Sequence, residues 1–130
     1  QRPGRVALVE TLGALRYLSA IRHADAVVGN SSSGLLEAPA MGTPTIDIGD
    51  RQRGRPRAPS VVHCQADEAA LRRAVSTVLS PTHRELAARR ETPFGRPGAA
   101  ERIAAVLASV DLDGILVKRF HDIPLTSEAS

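Results

Sequence analysis

The sequence predicts an α/β protein built on an open parallel sheet, and three observations carry that prediction. Short apolar runs alternate with longer stretches of helical periodicity, each run closed by Gly, Pro, Asp or Ser, as in successive βα units. The apolar residues are mostly Ala, Val, Leu and Ile, with Tyr17, Phe94 and Phe120 the only aromatics, which suits strands covered by helices. A chain of 130 residues is one domain by length and long enough to bury a core.

Val6-Ala7-Leu8-Val9 reads as a first short strand. Gly13 to His23 follows as a helix expected to bury Leu15, Leu18 and Ile21. Asp25 turns the chain into a second strand that ends at Gly29. The helix after the serine run is short, since Pro39 strains its interior and Gly42 ends it. Thr45 to Ile48 is a third strand and Ser60 to His63 a fourth. Asp67 caps a helix with Leu71, Ala74, Val75 and Val78 on one stripe and a Glu68–Arg72 pair one turn apart. Ser80-Pro81 opens another helix with a capping hydroxyl and proline at the first helical position. A last helix is expected to bury Ile103, Val106, Leu107 and Val110. Residues 1–124 are expected to form the domain and 125–130 a frayed tail.

Composition narrows the function. The formal net charge is +3, acidic residues are interspersed and aromatics for base stacking are scarce, which argues against nucleic-acid binding. No apolar run approaches the roughly 18 residues of a membrane span, and Cys64 is the single cysteine, which fits a reducing compartment such as the cytoplasm. The chain starts without Met immediately before the first apolar run, and reads as part of a longer protein. His23, His63, His83 and His121 have no ligand spacing, so no metal is expected.

The chemistry concentrates at Gly29-Asn30-Ser31-Ser32-Ser33-Gly34. A strand running through a small polar turn into a helix points unpaired N–H groups outward, and the helix dipole favours an anion there. The run lacks the Lys and hydroxyl of a nucleotide-triphosphate loop, since Leu35 and Leu36 follow Gly34. It also lacks the second glycine of a nucleophile elbow, where Ser33 stands. One serine is explained by capping, which contributes about 1 kcal/mol; three in a row point to phosphate, with glycines letting backbone come close. Glu37 is too far from the turn for a capping box and reads equally as an exposed helix residue or as an acceptor for paired ribose hydroxyls. Arg51, Arg53, Arg55 and Arg57 alternate after the third strand. Arg51 is best placed for a diphosphate, whereas Arg53 and Arg57 read as solvated. Asp47 and Asp50 close a strand, where a catalytic role is open but a role in the turn is expected, and His63 and Cys64 should point to opposite faces. No general acid/base pair stands out.

At these residues the chain resembles the UDP-N-acetylglucosamine 2-epimerase family, especially its hydrolysing branch. The resemblance rests on Val27 to Gly34, on Glu37-Ala38-Pro39, and on Gly42 to Arg55 with its Arg51-Gln52-Arg53-Gly54-Arg55 run. Weaker matches are Leu12-Gly13, Tyr17-Leu18, Pro93-Phe94-Gly95, Arg102-Ile103 and Lys118-Arg119-Phe120. It implies two Rossmann-like domains facing across a cleft, the GT-B arrangement, with this chain as the C-terminal, UDP-holding domain and an N-terminal domain missing. Ser31 and Ser32 would hold the diphosphate, Glu37 the ribose, Arg51 the phosphates, and Leu12, at the end of the first strand, the uracil through its backbone. Asn30, Gly34 and Arg55 would be secondary contacts. The resemblance implies a UDP-amino sugar as substrate, a homodimer and no cofactor. It further implies removal of the sugar's C2 proton, elimination of UDP and addition of water to give N-acetylmannosamine, a sialic-acid precursor, with the catalytic residues upstream of this chain. Two departures stand out: Phe94-Gly95-Arg96-Pro97 replaces a common Tyr-Gly-Asp-Gly, and Asp47 replaces a common asparagine. A different UDP-amino sugar, the non-hydrolysing reaction, a glycosyltransferase of the same architecture and a non-catalytic nucleotide-sugar sensor remain alternatives.

Overall fold

The computed structural model describes residues 4–117. Three strands, β1 (Val27–Gly29), β2 (Thr45–Ile48) and β3 (Val61–Cys64), form one sheet in the order β1-β2-β3. Both pairings are parallel, with Gly29 opposite Asp47 and Asp47 opposite His63. Among the described residues five helices accompany them: α1 (Gly13–His23), α2 (Ser33–Met41), α3 (Glu68–Val78), α4 (Pro81–Ala88) and α5 (Ala99–Ser109). The predicted open parallel α/β architecture is therefore present. Two compact units divide between Gly95 and Arg96.

In the first unit, alternation along β2 builds two faces from adjacent residues. Ile46 packs with Cys64, Ala74 and Val78, so this face of the sheet belongs to α3. Thr45 lies on the other face beneath α2, where a methyl placed on Gly34 would meet the Thr45 Cγ2 at 2.9 Å. Leu35 and Ala38 of α2 are fully buried there. Each large apolar side chain removed from water stabilises the fold by about 1.5–3 kcal/mol.

The ends of the helices follow local chemistry. Asp67 Oδ1 accepts from the Ala70 N–H at 2.8 Å at the start of α3. Ser80 accepts from the His83 N–H in front of Pro81. Arg72 reaches Glu68 Oε1 at 2.7 Å, the expected pair one turn apart. Gly42 follows α2 with φ of 80°, a left-handed conformation that glycine adopts without strain. Its N–H bonds the Pro39 carbonyl and the Thr43 N–H bonds that of Ala38, a Schellman closure. Thr43 also donates to the Ile21 carbonyl at 2.8 Å, tying α1 to the end of α2.

Three expectations are corrected. Val6–Val9 forms no strand: Val6 is 82% and Leu8 99% exposed, and among the described residues β1 pairs with β2 and not with this run. An apolar run of four becomes a strand only when a neighbour accepts its backbone hydrogen bonds. In α1, Ile21 is buried and Leu18 half-buried, but Leu15 is 81% exposed. In the second unit α5 buries none of its residues, and Ile103, Val106, Leu107 and Val110 are all exposed. No second helix or strand of that unit, among the described residues, covers the stripe. Lys118 to Ser130, including the expected tail, lie outside the described residues.

Candidate functional site at the carboxyl end of the sheet

Ligands of open parallel sheets bind beyond the carboxyl ends of the strands. At the end of β1 the chain leaves Gly29 through Asn30, Ser31 and Ser32 into α2. Ser32 occupies the position before the helix, yet its hydroxyl makes no capping bond. Ser31 Oγ accepts only a long bond, 3.4 Å, from the Ser33 N–H. The backbone closes the first turn without the side chains, through Gly34 N–H to the Ser31 carbonyl and Leu35 and Leu36 N–H to that of Ser32. Two hydroxyls thus stand at the positive end of a helix with little local work. Ser33 differs, since its Oγ accepts from the Tyr17 hydroxyl at 2.7 Å.

The next loop comes to the same place. After β2, Asp50–Gln52 makes a single 3-10 turn. Gln52, buried, donates from Nε2 to the Asn30 carbonyl at 2.7 Å, and Arg51 Nη1 lies 3.4 Å from Asn30 Oδ1. Asn30 is therefore gripped by two successive residues of the following loop, and Arg51 is carried to the edge of the serine turn. Glu37 is exposed on α2, one turn beyond Ser33. Gly34 is buried, its missing side chain letting α2 settle on Thr45. Arg55 is exposed and its backbone N–H bonds the Gln52 carbonyl at 3.2 Å, but no bond brings its guanidinium to the turn. Arg53 pairs with Asp50 at 3.4 Å in solvent, an arrangement contributing little.

Leu12 does not end a strand, because none forms there; it stands in helical conformation (φ −97°, ψ −16°) in front of α1. With Val9, Gly13 and Tyr17 it lines a shallow groove of about 450 Å³. Tyr17 joins this groove to the serine turn through its bond to Ser33. Its part in the edge was not visible in the sequence, although the aromatic one helix earlier was the available signal.

Arg57 and Asp47 correct the sequence reading more deeply. Asp47 lies inside β2, fully buried, rather than in a turn. Arg57, read as solvated, donates to Asp47 Oδ2 from Nε at 3.1 Å and from Nη2 at 2.9 Å. The His63 Nδ1 lies 3.3 Å from the same oxygen, across the strand register. Asp47 Oδ1 is buried without a partner among the described residues. A carboxylate at this depth needs its guanidinium, since an unpaired buried charge costs several kcal/mol. Cys64, next along β3, points to the opposite, α3 face, as expected. Burial, then the Asp67 and Asp47 carboxylates, push its thiol above the ordinary value of 9.0, which suppresses the reactive thiolate. Among the described residues no group of three or more His, Cys, Asp or Glu is arranged to hold a metal ion. No helix among them is long and apolar enough to cross a membrane.

The fold and this edge define a parallel α/β protein whose outward polar groups gather where its strands end. More narrowly, the chain belongs to the UDP-N-acetylglucosamine 2-epimerase family, whose model matches residues 1–108. It is 34% identical over 120 residues to the "GDP/UDP-N,N'-diacetylbacillosamine 2-epimerase (hydrolyzing)" of Campylobacter jejuni, covering 92% of this chain and 31% of that protein. It is 30% identical over 109 residues to "Polysialic acid biosynthesis protein P7" of Escherichia coli, covering 83% of this chain and 28% of the relative. A stretch of 47 residues is 47% identical to the "UDP-N-acetylglucosamine 2-epimerase" of Neisseria meningitidis serogroup B, which is 36% of this chain and 12% of that protein. The chain thus spans less than a third of the length of each of these relatives.

Proposed function

We propose that the chain is the UDP-binding part of a hydrolysing UDP-N-acetylglucosamine 2-epimerase, completed by an N-terminal domain that faces it across a cleft. The observation that carries the reading is the grip of Gln52 and Arg51 on Asn30, which sets a guanidinium beside two underused hydroxyls at a helix N-terminus. In this assignment Ser31, Ser32 and Arg51 hold the diphosphate, Glu37 takes the ribose hydroxyls, and the Leu12 backbone meets uracil in the groove that Tyr17 connects to the turn. Asn30, Gly34 and Arg55 act as secondary contacts, Gly34 by allowing α2 its seat. The whole enzyme would remove the C2 proton and break the C1–O bond, UDP leaving with the bonding pair. Water then adds its hydroxyl at C1 and a proton returns to C2 on the opposite face, giving N-acetylmannosamine. The acid and base for those steps lie upstream of this chain, mostly in the other domain. A homodimer in the cytoplasm fits the reading.

The sugar has a second candidate. The name of the Campylobacter jejuni relative favours a diacetylated amino sugar, and that of the Escherichia coli relative favours a sialic-acid route. The test is a titration of UDP, with inorganic phosphate as control, into the isotope-labelled chain, followed by backbone amide resonances. Saturable shifts at Ser31, Ser32 and Arg51, stronger for UDP than for phosphate, are expected. A folded chain that UDP at millimolar concentration leaves unchanged sinks the nucleotide half-site. Turnover of UDP-N-acetylglucosamine and its diacetylated counterpart by the complete protein, in water alone, separates the two sugars and excludes a transferase that needs an acceptor.

A further inference from the structure

The nucleotide reading accounts for the α1 side of this edge and leaves the Asp47–Arg57–His63 cluster unused. Several features set that cluster apart from a plain structural ion pair. All three contacts converge on Oδ2, while Oδ1, like Thr45 Oγ1 and Gln52 Oε1, is buried without a partner among the described residues. His63 is the most open of the three, its side chain 33% exposed against 29% for Arg57 and 0% for Asp47. With Arg57 bound to the same oxygen, the Asp47 carboxylate accepts from Nδ1–H, which leaves Nε2 as the remaining hydrogen-bonding nitrogen of the ring. Among the described residues Nε2 has no partner.

Position gives that nitrogen something to meet. Gly29, Asp47 and His63 form one row across the three strands, at their carboxyl ends. Asp47 shares the face of Thr45, two residues earlier, which is the face under α2. Two strand spacings place His63 about 10 Å from Gly29, the residue that opens the serine turn. Along the edge the hydrogen-bonded groups run from Tyr17 and Ser33 through Asn30 and Arg51 to Arg57, Asp47 and His63. If the base end of a nucleotide sugar occupies the groove at Leu12 and Tyr17 and its diphosphate the turn, its third part extends toward β3.

Resting on the proposed UDP site, we propose that His63 is a sugar-contacting residue, accepting at Nε2 a hydrogen bond from a hydroxyl of the sugar carried by the diphosphate. Asp47 is its positioning residue, and Arg57 holds Asp47 in place through two hydrogen bonds to the same oxygen. The cluster thereby distinguishes a nucleotide sugar from the bare nucleotide.

The test compares UDP with UDP-N-acetylglucosamine on the isotope-labelled chain, reading the ring nitrogens of His63 and the backbone amides of the serine turn together. The expected result is that both ligands shift Ser31 and Ser32, but only the sugar nucleotide shifts His63 Nε2. His63→Ala then weakens UDP-N-acetylglucosamine about fivefold or more and UDP less than twofold. Asp47→Asn should mix the two ring tautomers in the nitrogen spectrum and weaken the sugar nucleotide in parallel. The nitrogen spectrum of the unaltered chain stands even if a variant fails to fold. Serine-turn shifts with both ligands and an unmoved His63 overturn the sugar contact while leaving the nucleotide site intact. Absent shifts at the serine turn overturn the nucleotide site, and the sugar contact with it.

Discussion

Two loops end at the same edge of the sheet and are built in opposite ways. The turn after β1 keeps its polar groups outside: Ser31 is exposed, the Ser32 hydroxyl makes no capping bond, and the backbone alone closes the first turn of α2. The segment after β2 sends its polar groups inward, with Gln52 buried against Asn30 and Arg57 reaching back to a carboxylate that is 0% exposed. The first arrangement keeps donors free for something outside the protein, and its residues carry little of the stability. The second spends them on the fold, so that Arg51, exposed beside Gln52, is held in place. Placement of the arginine and freedom of the serines are complementary halves of one edge.

The contrast can be broken most directly at Arg57. Arg57→Ala strips the buried Asp47 of its guanidinium and is expected to cost about 3 kcal/mol, the low end for such a loss because Arg57 is partly exposed. The urea midpoint reads it; an unchanged midpoint would place the cluster on a par with a surface pair. Gly34→Ala comes next. The new methyl gains about 1 kcal/mol of helix propensity, but it meets the stiff, buried Thr45 Cγ2 at 2.9 Å. Overpacking of this kind costs typically 1–3 kcal/mol, so the net expectation is a loss of about 1 kcal/mol, read by the same midpoint. Ser32→Ala sharpens the comparison from the other side. A working cap would cost about 1 kcal/mol when removed, whereas this variant should stay within about 0.5 kcal/mol of the parent in urea. It should nevertheless bind UDP roughly tenfold more weakly, as expected when a hydroxyl bond to a charged group is lost.

The smallest effect is alkaline. Because the Cys64 thiol is raised above its ordinary 9.0 in the fold, the unfolded chain releases that proton first as pH rises. Stability contributed by the buried thiol is complete below 9.0 and declines through the higher folded value. Cys64→Ala should flatten this decline as pH rises through 9.0 in urea titrations.

What the sequence disclosed was whatever depends on near neighbours. Asp67, Ser80 and Gly42 act on groups one to four residues away, and each did what its residue type predicts. The serine turn and the end of β1 were legible for the same reason. Asp47 and Arg57 were misread because their partnership spans ten residues and two elements, and an alternating arginine run looks alike whether solvated or folded back. Val6–Val9 failed similarly, having strand composition without a pairing neighbour. Leu15 and the α5 stripe have helical spacing, yet spacing fixes which residues share a side and not whether anything packs against it.

The order β1-β2-β3 has a kinetic consequence. Paired strands start 18 residues apart between Val27 and Thr45, and 16 apart between Thr45 and Val61. Parallel sheets are slow to form when their strands come from distant parts of a chain, since the closure entropy precedes any reward. Here each strand lies beside the one synthesised just before it. The sheet can grow by accretion as the chain emerges from the ribosome, each βα unit docking on a finished neighbour, with no strand inserted between two already paired.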